Sequence, residues 1–290
     1  MKISVLMPIY NTNKDHLSAA IQSILDQTEP DFEFLILNDS PASTELDAVV
    51  KKFNDPRIKY LKNPENLGIS DSRNKLIEMA QGEYLAVMDH DDISCPERFS
   101  KETAYLDNHP EIGVVSSFGT VFGEREEILD GPIEDQEIKR ALFTCCPIIH
   151  SAAMIRKSVL VDNHICYEKA FSPAEDYRLW CQLVDCTSFH NLPEVLFKWR
   201  KHSSNTSATR KLAMIMAANK IKTELRATHP SLWSEIMANS HDFWWVKLFK
   251  VVPLLKIVKT PQKTTISLFN KFPLLAIKHE IRYPYIFKDL

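Results

Sequence analysis

The acidic run Asp89-His90-Asp91-Asp92 is the segment of this sequence best suited to chemistry. It directly follows an apolar stretch, residues 84–88, of buried-strand length. Three carboxylates at a strand end repel one another and cost stability unless a cation or hydrogen-bond donors compensate. Hard oxygen ligands favour Mg²⁺ or Mn²⁺, and such an ion would bridge the protein to a diphosphate. A solvated acidic turn leading into a helix from Pro96 is the competing reading, and the strand-end position favours the metal.

Other segments are ambiguous one at a time. Asp39 ends a second apolar strand, where it is either a turn residue beside Ser40-Pro41 or an acceptor for the imide N–H of a uracil ring. Asn66-Leu67-Gly68 runs into Ser70-Asp71-Ser72-Arg73-Asn74. Asn66 and Gly68 suit positive φ there. Arg73, one turn into a helix, either reaches a phosphate or carboxylate or stays solvated. Glu175 and Asp176 open another helix, a setting in which acids are common because they favour the helix dipole. His202 closes Trp199-Arg200-Lys201-His202 after a strand, where a lone histidine is more often structural than ligating.

These segments need a scaffold that gathers them, and the apolar patterning supplies one. Residues 3–9 read as a buried strand, followed by Leu17, Ala20, Ile21, Ile24 and Leu25 on one helix face. A strand at 32–37 follows, then a helix capped by Ser43 and running to Phe53. A strand at 57–61, a helix at 70–80 and a strand at 84–88 complete a βαβαβαβ alternation. That order predicts an α/β fold, a mainly parallel sheet with helices on both faces. Ligands sit at the carboxyl ends of such strands. Tyr10-Asn11, Asn38-Asp39 and residues 89–92 all begin there. Further on, the pattern predicts helices at 97–108 and 175–184 and strands at 113–121, 148–155 and 194–199. From Ala208 onward it reads as helical, punctuated by Pro253, Pro261, Pro273 and Pro284.

Composition narrows the options. A chain of 290 residues with 44% hydrophobic and 25% charged residues can bury a sizeable core. Its six glycines argue against a glycine-rich phosphate loop. The net charge of −3 divides into +6 over residues 241–290 and −9 over the rest, so nucleic acid is not expected as a partner. None of the six cysteines forms a C-x-x-C pair, so neither zinc nor a redox motif is indicated. The opening apolar run stops at Pro8 without a cleavage site, and no stretch of 18 apolar residues occurs. A cytoplasmic location is therefore expected. The basic tail, with aromatics beside lysines in 243–258 and 266–278, opens the option of a peripheral seat on anionic lipid at the inner membrane face.

In order, Pro8-Ile9-Tyr10-Asn11, Asn38-Asp39, Asn66-Leu67-Gly68 through Arg73-Asn74, the 89–92 run, Ala174-Glu175-Asp176-Tyr177, and Trp199 through His202 resemble family 2 of the glycosyltransferases. The match spans about residues 3–207 and looks closest to bacterial enzymes that extend lipooligosaccharide, capsule or other surface glycans. The resemblance implies the GT-A fold with a C-terminal helical appendage. It implies a catalytic domain at 1–207, split into a nucleotide-binding half (1–92) and an acceptor-side half (93–207), with 208–290 as a basic helical region. By position, Pro8 and Tyr10 would wall the base pocket, and Asp39 would bind the uracil of a UDP-sugar. Asn11, Asn66, Gly68 and Arg73 would lie on the donor side, with Asp89 near the ribose. Asp91 and His202 would meet Mn²⁺ or Mg²⁺ on the diphosphate, and Asp176 would be the general base. Glu175 and Asp92 would stand beside the acceptor or behind the acting groups. Two departures are His90, where a small residue is usual, and Trp199, where tyrosine is usual.

The implied reaction moves GlcNAc, GalNAc, Gal or Glc from a UDP-sugar to a hydroxyl of a glycan or lipid-linked acceptor. One base and one displacement would invert the anomeric carbon. A dinucleotide oxidoreductase would need G-x-G-x-x-G where Tyr10-Asn11-Thr12-Asn13-Lys14 stands. A nucleotide-sugar pyrophosphorylase would need a glycine-rich basic loop at the same place. A non-catalytic nucleotide-sugar-binding subunit with this fold is the remaining rival.

Overall fold

The computed structural model describes residues 1–123, 127–203 and 205–239, and the backbone of four strands between 244 and 277. Contacts divide the chain into two units, one holding Met1–Thr223 and the other Glu224–Pro284.

The first unit opens with β1 (Ile3–Ile9), α1 (Lys14–Leu25), β2 (Phe32–Asn38), α2 (Thr44–Val50), β3 (Ile58–Lys62), α3 (Ile69–Met79) and β4 (Tyr84–Val87). These strands pair in parallel in the order β3-β2-β1-β4. Every residue of β1 and β2 is buried, as expected of parallel strands covered on both faces. Asn13 caps α1 by accepting from the amides of Asp15 and His16. Ser43 caps α2 through the Leu46 amide. That helix stops at Val50 rather than Phe53, because Asn54-Asp55-Pro56 follows and the residue before a proline avoids the helical region. Pro8 cannot donate to a ladder, and the β1–β4 pairing ends at Leu6–Val87, before it is reached. The chain after β4 is thus released from the sheet where the acidic run begins.

The second part contributes β5 (Ile93–Ser94), α4 (Arg98–Asn108), β6 (Ile112–Gly123), β7 (Glu127–Leu129), α5 (Asp135–Leu142), β8 (Met154–Arg156), α6 (Lys157–Asp162), α7 (Glu175–Gln182) and β9 (Ser188–Lys201). They extend the sheet from β4 in the order β8-β6-β9-β5, with β7 on the side of β6. β8 runs antiparallel to both β4 and β6, whereas β9 runs parallel to β6. The strand expected over 148–155 is instead a 3₁₀ turn at His150–Ala152 followed by the short β8. The turn is held by hydrogen bonds from His150 and Ser151 to partners in the site described below.

The helical pattern expected from Ala208 is found as α8 (Thr206–Thr209), α9 (Lys211–Thr228) and α10 (Pro230–Asn239). Beyond Asn239 the described backbone is strand instead of helix. β10 (Trp244–Leu248), β11 (Val252–Thr260), β12 (Lys263–Leu268) and β13 (Phe272–Ile277) form a four-stranded antiparallel sheet. Aromatic and β-branched residues favour strands there, and Pro253 and Pro273 are excluded from helix interiors. Both prolines pair just past a register shift, opposite Lys247 and Ser267, which is where a sheet tolerates them. Residues 249–251, Phe243, Lys271, Lys278, Arg282 and Lys288 of the basic tail lie outside the described residues. Among the described residues, no helix is long and apolar enough to cross a membrane.

Candidate active site

The carboxyl ends of β1, β2 and β4 present three of the segments marked in the sequence. At the end of β2 the Asp39 carboxylate is buried and accepts four hydrogen bonds. One oxygen takes Asn63 Nδ2 at 2.7 Å and the Leu67 amide at 2.9 Å. The other takes Asn66 Nδ2 at 3.0 Å and the Gly68 amide at 2.8 Å. These donors fill the roughly four lone-pair sites of a carboxylate. Asp39 therefore pins the Asn66–Gly68 turn as found, and a uracil imide would have to displace one of the turn's donors. Gly68 has φ +86° and ψ 168°, a region essentially reserved for glycine. At the end of β1, Pro8 is buried and Tyr10 exposed, and Asn11 adopts φ 45° with its amide donating to Ser40 Oγ.

Arg73, on the first turns of α3, joins two carboxylates that are far apart in sequence. Its guanidinium donates to Asp89 Oδ1 at 3.0 Å and to Glu175 Oε1 at 2.9 Å. Burial works against a charged Asp89. The Arg73 guanidinium outweighs it, helped by a 2.5 Å bond from Ser151 Oγ, and holds Asp89 down at about 2. Asp176, next to Glu175 at the start of α7, is in the opposite state. Burial and then the Glu175 charge push it up to about 6, against a bond from the Tyr177 amide and the pull of Arg73. A carboxylate titrating near 6 is a competent base at neutral pH. Behind this group, His150 is kept neutral by burial and then by Arg73, and bonds to the Tyr167 hydroxyl at 2.8 Å. Asn74 fixes the Tyr167 backbone through two bonds of 2.9 Å.

Asp91 and His202 lie 111 residues apart and meet at 2.9 Å, Oδ2 to Nε2. Asn205 holds the histidine in place, accepting from its amide at 2.7 Å and lying 3.2 Å from its Nε2. Asp92 is buried and accepts from the Arg200 amide at 2.7 Å, which ties the 200–205 segment to the acidic run. Burial and then the Asp91 and Asp89 charges raise Asp92 well above the usual carboxylate range. Its Oδ2 has no partner among the described residues. A carboxylate oxygen beside an imidazole nitrogen, with excess negative charge and an orphaned carboxylate oxygen behind, fits Mn²⁺ or Mg²⁺. No group of three or more such ligands occurs among the described residues.

Of the residues marked in the sequence, the structure brings together Arg73, Asp89, Glu175 and Asp176, and separately Asp91, Asp92 and His202. Glu175 and Asp92 are both buried. Sequence reasoning missed Ser151, Asn63 and His16, whose ring lies 5.3 Å from that of His202. Asn63 could have been found, since it stands at the carboxyl end of β3. Ser151 carried no signal, because its role depends on the turn before β8.

Residues 4–162 match the family model described as glycosyl transferase family 2. An uncharacterized glycosyltransferase of Methanocaldococcus jannaschii is 29% identical over 89% of both chains. The UDP-Glc:α-D-GlcNAc-diphosphoundecaprenol β-1,3-glucosyltransferase of Escherichia coli is 24% identical, covering 76% of this chain and 86% of its own. Among solved structures, residues 1–349 of S. aureus TarS in complex with UDP-GlcNAc superpose with a TM-score of 0.68 at 20% identity. That match covers 82% of this chain and 72% of the 1–349 chain.

Proposed function

We propose that this chain, which belongs to glycosyl transferase family 2 and has the GT-A fold, transfers a hexose or N-acetylhexosamine from a UDP-sugar to an acceptor hydroxyl with inversion. The acceptor is a glycan or lipid-linked glycan of bacterial surface polysaccharide synthesis. The names of the E. coli and S. aureus proteins support a UDP-sugar donor, and the E. coli name supports a lipid-diphosphate-linked acceptor. The observation that carries the reading is the meeting of Asp91 and His202 in front of an acidic strand end. Asp91 and His202 hold the divalent cation. When bound, that ion neutralises charge developing on the UDP leaving group.

The rest falls to the chain's own side chains. Asp89, kept ionised by Arg73, accepts hydrogen bonds from the ribose, and the Asp39 turn encloses the base. Asp176 takes the proton from the acceptor hydroxyl, whose oxygen bonds to the anomeric carbon while the bond to the UDP oxygen breaks. One displacement on one face inverts that carbon. Anionic lipid is a further partner of the basic tail. Lysines at a surface contribute about 1 kcal/mol each, so binding to anionic vesicles should fall steeply with salt.

The test is thermal stabilisation by nucleotides together with one variant. UDP with Mn²⁺ should stabilise the protein more than GDP with Mn²⁺ does, and EDTA should remove the difference. Asp176→Asn should keep that stabilisation and lose transfer by about 10²–10⁴-fold. Equal stabilisation by GDP and UDP would overturn the uracil assignment, and near-normal transfer by the variant would overturn the base.

A further inference from the structure

We propose that Arg73 and Glu175 form a positioning pair that sets the pH range over which Asp176 accepts a proton and ties that base to the donor-side Asp89. The proposal rests on the reading of Asp176 as the general base. Its ground is geometric. One guanidinium bonds Asp89 at 3.0 Å and Glu175 at 2.9 Å, and both Arg73 and Glu175 are buried. Glu175 and Asp176 are neighbours on the first turn of α7, so the bond to Arg73 fixes the Glu175 charge beside the base. The second Glu175 oxygen has no partner among the described residues, so a single cation offsets this carboxylate.

The groups facing Asp176 can be sorted by whether they carry charge. Glu175 and Cys181 face it from α7, Arg73 from α3, Asp89 from the end of β4, Cys146 from the segment after α5, and Tyr167 from the segment before α7. Burial pushes both thiols and the Tyr167 hydroxyl up, so all three stay neutral wherever the base works. The charges left are Glu175 and Asp89, which favour the protonated base, and Arg73, which favours the carboxylate. Glu175 is the nearer anion in sequence and is held rigidly. Removing its charge lowers the pH at which Asp176 becomes a carboxylate, and a lysine at position 73 preserves the cation.

The experiment titrates the protein labelled with ¹³C at the aspartate carboxyls, with the Asp176 resonance identified by its absence in Asp176→Asn. Wild type, Glu175→Gln and Arg73→Lys are compared. The pH dependence of UDP release from UDP-GlcNAc with Mn²⁺ is followed in parallel. In Glu175→Gln the Asp176 titration should move down by about one pH unit, the size expected of a removed neighbouring charge. The acid limb of UDP release should follow it. Arg73→Lys keeps a cation but not the fork that bridges the two carboxylates, so its Asp176 titration should lie at or above the wild-type value and not move down. An Asp176 titration that does not move in a folded Glu175→Gln protein overturns the proposal. If Asp176→Asn still stops UDP release in that case, the base reading stands. A titration that moves while the acid limb stays put removes Asp176 as the base, and the proposal falls with it. Thermal melting of each variant separates these outcomes from misfolding.

Discussion

Asp39 and Asp92 stand beyond the two parallel strands that flank β1 in the first unit, and both are buried, yet their surroundings are opposite. Asp39 accepts four hydrogen bonds from Asn63 and the Asn66–Gly68 turn. Asp92 accepts one from the Arg200 amide, keeps an oxygen without a partner among the described residues, and is pushed well above the usual range by burial and its acidic neighbours. A carboxylate whose lone pairs are all filled by the chain holds the chain in shape. A crowded and unfilled acidic run is held short of its optimum until a cation offsets its charge. On the proposed function, the difference separates the part of the site that shapes a pocket from the part that would meet the diphosphate.

The largest effect should come from emptying the second kind of place. Asp91→Ala removes the carboxylate that meets His202, and transfer should fall by at least about 10²-fold, as when one transition-state contact is deleted. Mn²⁺ binding followed by electron paramagnetic resonance should weaken in step, with little change in melting temperature. A large loss of stability instead would make Asp91 a fold residue and erase the contrast. Next in size is Asp39→Asn, which places an amide N–H₂ against two of four N–H donors. Each stranded group costs about 1–3 kcal/mol, so the protein should melt several degrees lower, with or without Mn²⁺. Unchanged melting would mean that the four bonds are not what holds the turn.

A third measure probes the turn itself. A Cβ added at Gly68 would meet nothing within 4 Å, so Gly68→Ala strains only the backbone. The cost should be about 1–3 kcal/mol. A neutral substitution would show that the turn can relax away from φ +86° and that Asp39 does not constrain it.

Much of this contrast could be read from the sequence, and the rest could not for physical reasons. The apolar runs of β1, β2 and β4 marked the strand ends, and strand ends marked Asp39 and the 89–92 run. Local patterning cannot state that Arg73 reaches Glu175 across 102 residues, because that contact needs β8, β6 and β9 to return beside β4. It also could not separate a filled carboxylate from an unfilled one, since two of the donors to Asp39 are the Asn63 and Asn66 side chains and the other two are backbone amides that any sequence has. The tail misled for a different reason. Its apolar residues recur at spacings that fit a helix as well as a strand, and the signals against the helix were the four prolines and the aromatic and β-branched residues.

The smallest expected effect sharpens the comparison most, because it repeats the Asp→Asn exchange at position 92. In the metal-free protein burial and then the Asp91 and Asp89 charges favour the protonated form of Asp92, which resembles a neutral amide in shape and charge. The amide side chain of the Asp92→Asn variant can still accept from the Arg200 amide, and its N–H₂ takes the place of an oxygen that has no partner among the described residues. The sign of the pH dependence follows from linkage. Between the ordinary carboxylate range and the raised value, the folded protein binds a proton that the unfolded chain has lost. The Asp92 contribution to stability is therefore complete at low pH and drains away as pH rises through that window. Asparagine cannot ionise, so Asp92→Asn should match wild type at about pH 4 and become the more stable of the two as pH rises above the ordinary carboxylate range, measured by melting in EDTA. A variant that loses stability at every pH, as Asp39→Asn is expected to do, would show that the Asp92 carboxylate is satisfied by the chain. The acidic run would then need no cation to complete it.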